Sequence, residues 1–316
     1  PQDKLPYVLL GDPALRLNYP ADYQIQTTTQ LDTIRALSVQ TVEGYIMTST
    51  GDTAHWFNGP MDITIWDKMQ QSITRDNDEP KEANKVKIPF NNYPNTLFAG
   101  QTIVENGKFS YTFMVPKDIR YNYGNGRIAY YAYDKESGEE GIGYCEDFVV
   151  GGSSTLEIID TIGPDLRLYI NNPAFVDGGK TYEFPHFYAE IYDENGINTV
   201  GSGIGHDLLL IVDNDPNQTF VLNDYFTARS NSYQQGTVSF KMPEMTEGAH
   251  SITFRAWDLL NNSNTAALNF QVVKGMNPTL YKVLTYPNPV AATGVLNFRI
   301  EFDQPDEAVQ TEIYLY

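Results

Sequence analysis

The residue with the most chemistry to offer is Cys145, the single cysteine of the chain. A nucleophilic thiol needs its thiolate form, and a nearby imidazole or other positive charge is what stabilises it. Cys145 instead stands in EEGIGYCEDFVV, between Glu139, Glu140, Glu146 and Asp147. Negative neighbours oppose ionisation. The sequence therefore reads Cys145 as a small core residue or an inert, partly exposed thiol. The four histidines, His55, His186, His206 and His250, are scattered, and no two have the close spacing of a zinc site. His206 beside Asp207, and His250 near Glu247, read as packing at strand edges.

Oxygen ligands are more plentiful. In DNDPN, Asp213, Asp215 and Asn217 alternate as in the first half of a calcium loop, but the glycine and the bidentate glutamate of such a loop are missing. A hairpin turn between LLLIV and TFVL is the favoured reading, with calcium the alternative and no other cofactor implied. Asp193 and Asn195 in YDENGIN form a second weak calcium pattern, and Asn-Gly is a strong short hairpin signal. The glycines of GSGIGHD (201–207) are followed by neither a Lys-Ser/Thr pair nor a helix pattern, so a turn is favoured over a phosphate loop. Trp257 in AWDLLNNSN reads as a core residue followed by a polar turn. Trp56, Phe57 and Trp66, close to a Gly-Pro turn, are candidate contacts for a partner or glycan, with burial as the alternative.

The elements that must position these residues are strands. Residues 109–115, 127–133, 166–170, 187–193, 207–213, 237–242, 250–258 and 267–273 alternate or run apolar over a strand's length between Gly, Pro, Asn or Asp. Capped amphipathic helix patterns are nearly absent. The expected class is all-β, with tandem immunoglobulin-like antiparallel β-sandwiches. The length of 316 residues suits about two domains, and hydrophobic residues at 41% supply their cores. With one cysteine no intrachain disulfide forms. A net charge of -19 disfavours nucleic acid and anionic membrane surfaces as partners. No stretch reaches the ~20 apolar residues of a membrane helix.

Gly-Gly-Ser-Ser and Gly163-Pro164 mark a linker within 149–165, and Gly275, Asn277 and Pro278 close a second module. The expected modules are 20–152 and 153–274, with 1–19 and 275–316 as pieces of flanking units. RDNDEPKEANK (75–85) reads as a solvated loop. The chain begins without an initiator Met and ends on the strand-like TEIYLY, so it reads as part of a longer protein.

Three segments carry a family resemblance. YVLLGDPALRLNYP (7–20) resembles the exit segment of gingipain-like cysteine peptidase domains. GINTVGSGIGHDLLLIVDND with AWDLLNNSN is similar to the β-sandwich that follows the peptidase in type IX secretion sortases. YPNPVAATGVLNFRIEF (286–302) is similar to the start of a type IX C-terminal sorting domain. The resemblance implies that 1–19 is the tail of an upstream peptidase domain and 275–316 a truncated C-terminal β domain. It implies a parent protein at the bacterial cell surface, associated with the outer membrane. That parent would remove sorting domains from secreted cargo and attach the cargo to lipopolysaccharide. Its partners would be the cargo and an outer-membrane β-barrel protein that docks the C-terminal domain, a docking that truncation weakens. The family's catalytic His and Cys lie upstream of Gly-Asp-Pro-Ala-Leu, and no position here matches them. The segment is thus expected to be a non-catalytic scaffold, the alternative being a surface adhesion or glycan-binding module.

Overall fold

The computed structural model describes residues 23–75, 87–155, 158–199, 205–290, 294–304 and 313. The segment 7–20 and nearly all of the polar loop at 75–85 lie outside the described residues.

The first sandwich holds twelve strands. They are β1 (Tyr23–Thr27), β2 (Thr33–Ala36), β3 (Val39–Met47), β4 (Gly59–Trp66), β5 (Gln70–Ile73), β6 (Pro89–Asn92), β7 (Thr96–Val104), β8 (Lys108–Met114), β9 (Gly124–Asn125), β10 (Arg127–Tyr133), β11 (Glu140–Cys145) and β12 (Val149–Ser153). Seven of them form one sheet in the order β7-β4-β10-β11-β1-β3-β8, facing a short sheet β2-β12-β9. The two edges of the large sheet, β7 and β8, are consecutive in the chain and meet at the Asn106-Gly107 turn, where both residues have positive φ. The Thr102 hydroxyl on β7 donates to the Ser110 carbonyl on β8 at 2.9 Å. The sheet therefore curls back on itself and leaves little free edge.

Strict alternation decides what faces the core. On β10, Ile128, Tyr130 and Ala132 are buried, while Arg127, Ala129, Tyr131 and Tyr133 face outward. On β4 the same parity buries Met61, Ile63 and Ile65 and leaves Trp66 on the outside.

The second sandwich runs through β13 (Asp165–Ile170), β14 (Gly179–Thr181), β15 (His186–Tyr192), β16 (Leu209–Val212), β17 (Thr219–Val221), β18 (Phe226–Ala228), β19 (Gln235–Lys241), β20 (Gly248–Trp257) and β21 (Ser263–Val272). Its sheets are β13-β15-β19-β18 and β14-β21-β20-β16-β17. Phe187 of one and Phe254 of the other meet at 5.4 Å between ring centroids, in a core shared with Leu210, Val238, Ile252 and Phe270. Pairing is antiparallel except for β1–β11, β2–β12 and β14–β21. A hairpin of β22 (Leu280–Tyr286) and β23 (Asn297–Phe302) follows.

Two local expectations change. Trp257 is not in the core: Ile252, Phe254 and Ala256 take the inward positions of β20, so Trp257 falls on the outer face beside His206, ring centroids 4.4 Å apart. Asn195-Gly196 does make a turn, with Gly196 at φ +98°. No hairpin follows, because β15 pairs with β13 and β19 while β16 pairs with β20 in the other sheet.

Candidate functional site

A set of specific contacts outside the two main cores lies where the two sandwiches meet. Met114 at the end of β8 is buried with Leu259 and Leu260 from the turn after β20, and Leu37, Ile158 and Tyr233 pack around them. Polar bonds frame this apolar contact. The Lys117 amide donates to the Leu259 carbonyl at 2.9 Å, and the Asn231 amide donates to the Gln101 carbonyl at 3.0 Å. The Asn231 side chain also bonds the Thr102 hydroxyl. Asp118 takes two partners from the second sandwich, Asn261 Nδ2 at 2.8 Å and His206 Nδ1 at 3.0 Å. Beside it, Leu97, Phe98 and Ala99 face Ile197, Phe226 and Ala228 across a gap of about 10 Å³. That is about the size of one water probe, so this flank too is closely packed.

Against this joint stands a cluster of carboxylates. Asp160 comes from the connecting segment, Asp193 from the end of β15 and Asp258 from the end of β20, and their ligating oxygens lie within 4.8 Å of one another. Asp193 and Asp258 are buried. Asp258 Oδ1 accepts from the amides of Leu260 (3.0 Å) and Asn262 (2.6 Å), and its Oδ2 accepts from Asn262 Nδ2 (2.8 Å). Asn195 Nδ2 donates to Asp160 Oδ2 at 2.6 Å, and Asn262 Nδ2 to the Asp160 carbonyl at 3.2 Å. The connecting segment is thus tied to the second sandwich through Asp160, and again where Asn264 Nδ2 donates to the Pro164 carbonyl at 3.0 Å.

Burial, reinforced by the charges of Asp258 and Asp160 and only partly offset by the Asn195 and Gly196 amides, pushes Asp193 up to about 7. Burial also raises Asp258, against its hydrogen bonds from Asn262 and Leu260. Three carboxylates so close are what a hard cation takes as ligands. The hydrogen bonds from Asn195, Leu260 and Asn262 to these carboxylates offset part of the same repulsion.

The sequence-predicted sites fall elsewhere. Asp213 and Asn214 take positive φ at the end of β16. Asp213 accepts from the Ser251 amide (2.8 Å) and pairs with His250 Nδ1 (2.7 Å). Asp215 is lowered by hydrogen bonds from Asn217, whose amide and Nδ2 both lie 2.9 Å from it. These residues form a turn in which Asp213 is engaged with β20 and Asp215 Oδ1 with Asn217. Cys145 lies on β11 and packs against the first core. His186, His206 and His250 belong to the second sandwich, and His55 precedes β4 at the far end of the first.

Among the aromatics, Phe57 is corrected from surface contact to core residue. It is fully buried, because the loop before β4 folds inward over Tyr23. Trp56 is 54% exposed and donates to Glu139 at 3.1 Å. Trp66 is half-buried, and it stands at the other end of β4, roughly 25 Å from Trp56 at about 3.3 Å per strand residue. The three residues therefore do not form one surface.

Trp66 instead lies opposite Arg127 of β10. The Arg127 guanidinium is 5.6 Å from the Tyr93 ring centroid and 5.5 Å from that of Tyr144, and it pairs with Glu146 at 3.2 Å. Sequence reasoning missed this cluster and the joint. The first was legible in part, since the parity of β4, β10 and β11 puts Trp66, Arg127 and Tyr144 on one face.

With this geometry the chain is, by class, a pair of β-sandwiches joined through a packed interface. Among solved structures it is similar to dimeric latent PorU from Porphyromonas gingivalis, with 29% identity and a TM-score of 0.52 over 96% of this chain and 28% of that one. The chain thus spans little more than a quarter of that protein's length, and it is PorU-like over nearly all of its own. Red sea bream transglutaminase (8% identity, TM-score 0.24, 80% of this chain and 32% of that one) superposes much more loosely. So does Spo0M, a sporulation control protein from Bacillus subtilis (10% identity, TM-score 0.26, 79% of this chain and 91% of that one). At such scores these two carry no argument. No family model and no curated protein matches the chain.

Proposed function

We propose that this chain is the non-catalytic scaffold of a cell-surface type IX sortase, holding a gingipain-like cysteine peptidase at a set position on the outer membrane. In this reading the whole protein cuts sorting domains from secreted cargo and couples the cargo to lipopolysaccharide. The two sandwiches act as a spacer between the peptidase and a C-terminal domain that docks on an outer-membrane β-barrel partner. The likeness to PorU supports the relationship.

The observation that carries the role is the joint. Buried Met114, Leu259 and Leu260, framed by hydrogen bonds in both directions, suit a part that transmits position. Tandem domains on an unconstrained linker would not do so. Cys145 packs against the first core, with acidic residues on either side of it in the sequence, and the reading gives it no catalytic role.

The test is to incubate the purified chain with a cargo sorting domain, with and without a thiol alkylating agent. No cleavage is expected in either arm. Alkylation-sensitive turnover would overturn the reading.

A further inference from the structure

The outer face of the first sandwich has a feature that a spacer does not require. β1 and β11 pair in parallel through only two residue pairs, Tyr23 with Gly141 and Gln24 with Ile142. Gly143 still presses on the Ile25 backbone, which leaves no room there for a Cβ. Beyond that point an open groove of about 1120 Å³ runs between the strands and across to Trp66. Its size lies just above the range of small-ligand sites, about 300–1,000 Å³.

The groove's chemistry is specific. Because Ile25 is buried, Gln24 and Gln26 on either side of it face out along one wall. Tyr144, 65% exposed, stands on the other wall, with Tyr93 and Trp66 beyond it. Arg127 between Tyr93 and Tyr144 holds the two rings upright, and Glu146 anchors both Arg127 (3.2 Å) and the Tyr93 hydroxyl (3.3 Å). The exposed Tyr144 ring, with one face against Arg127, and the half-buried Trp66 ring, set among planar amide, guanidinium and carboxylate groups, suit a ligand with flat apolar CH faces and vicinal hydroxyls. A peptide would want aliphatic pockets for alternate side chains, and Ile142 is the one strongly exposed aliphatic residue in the groove. Charge selects further: Arg127 is already paired with Glu146, and Asp147 adds a second negative charge. An anionic ligand would be repelled.

We propose that this groove binds a neutral oligosaccharide, which stacks sugar rings on Tyr144 and Trp66 and hydrogen-bonds to Gln24, Gln26 and Glu146. The proposal stands apart from the spacer role and does not rest on it.

The experiment is an array carrying neutral glucan, mannan, galactan and N-acetylglucosamine oligomers, acidic oligosaccharides and random extended peptides, probed with the full chain. Calorimetric titration of the best neutral ligand follows. Saturable binding to a neutral oligomer is expected, weakened about tenfold or more by Tyr144→Ala, the change of about 1.4 kcal/mol that loss of one stacked ring produces. Trp66→Ala should weaken it similarly. Trp56→Ala, at the far end of β4, should leave it unchanged. Tyr144 is exposed, so its variant keeps the fold even if Trp66→Ala does not. No saturable neutral ligand, a preference for acidic glycans or peptides, or affinity indifferent to Tyr144→Ala would each overturn the proposal.

Discussion

The joint between the sandwiches and the hairpin β22–β23 are both places where one part of the chain meets the next, and they are built in opposite ways. At the joint, Met114, Leu259 and Leu260 are each less than a tenth exposed. In the hairpin the strands pair from Leu280 to Tyr286 with one register shift between Leu280 and Lys282, yet Leu280, Val283, Leu284 and Tyr286 are between 42% and 54% exposed. Hydrogen bonds are present in both, but among the described residues apolar burial is concentrated in one. Since burial supplies most of the free energy of a fixed geometry, strand pairing alone does not make a rigid connection. The proposed spacer role rests on the apolar burial at the joint.

This contrast is open to direct attack. The largest effect is expected from a charge in the joint. Leu259→Asp should cost on the order of 3 kcal/mol in urea unfolding, because an unpaired carboxylate replaces a buried side chain. Limited proteolysis of the same variant should show faster cutting within 154–164. Val283→Asp in the hairpin should cost less than about 0.5 kcal/mol, and equal costs at the two places would erase the distinction.

The carboxylate cluster gives the next effect. In the folded protein burial pushes Asp193 up to about 7, from an ordinary value of 3.8. Between those values this group binds more protons in the folded than in the unfolded chain, so its contribution to stability is greatest at the acid end and is lost as pH rises through 7. The fall attributable to this group is on the order of a few kcal/mol. Thermal midpoints from pH 5 to 8, taken with chelator present, should decline, and Asp193→Asn should flatten the decline. An unchanged slope would remove Asp193 from the account. Smaller still is Asn231→Ala, which removes the side-chain bond to Thr102 while leaving the backbone bond to Gln101; about 1 kcal/mol is expected in the same urea measurement.

The strands were legible because alternation is local. Residues 127–133 and 187–193 announce which side chains face inward without any knowledge of their neighbours. The error at Trp257 came from weighing the size of the indole above the parity of its strand, since Phe254 and Ala256 already claim the inward positions. Phe57 could not be placed by parity because it precedes β4, in a loop that folds over the core. The carboxylate cluster was illegible for another reason. Asp193 was noticed as part of a turn, but Asp160 and Asp258 come from elements far away in sequence, and only the packing of the second sandwich on the connecting segment brings the three together. The joint was hidden in the same way, as Met114 and Leu259 carry no local sign that they face each other.

The central claim, that the sandwiches are held as one body, is tested most directly by a distance distribution across the joint. Spin labels at Asp52→Cys and Val221→Cys, both exposed positions, in a Cys145→Ser background would report it by double electron–electron resonance. A single narrow distance that broadens on adding Leu259→Asp is the predicted result. A broad or multi-peaked distribution without that third substitution would contradict the account.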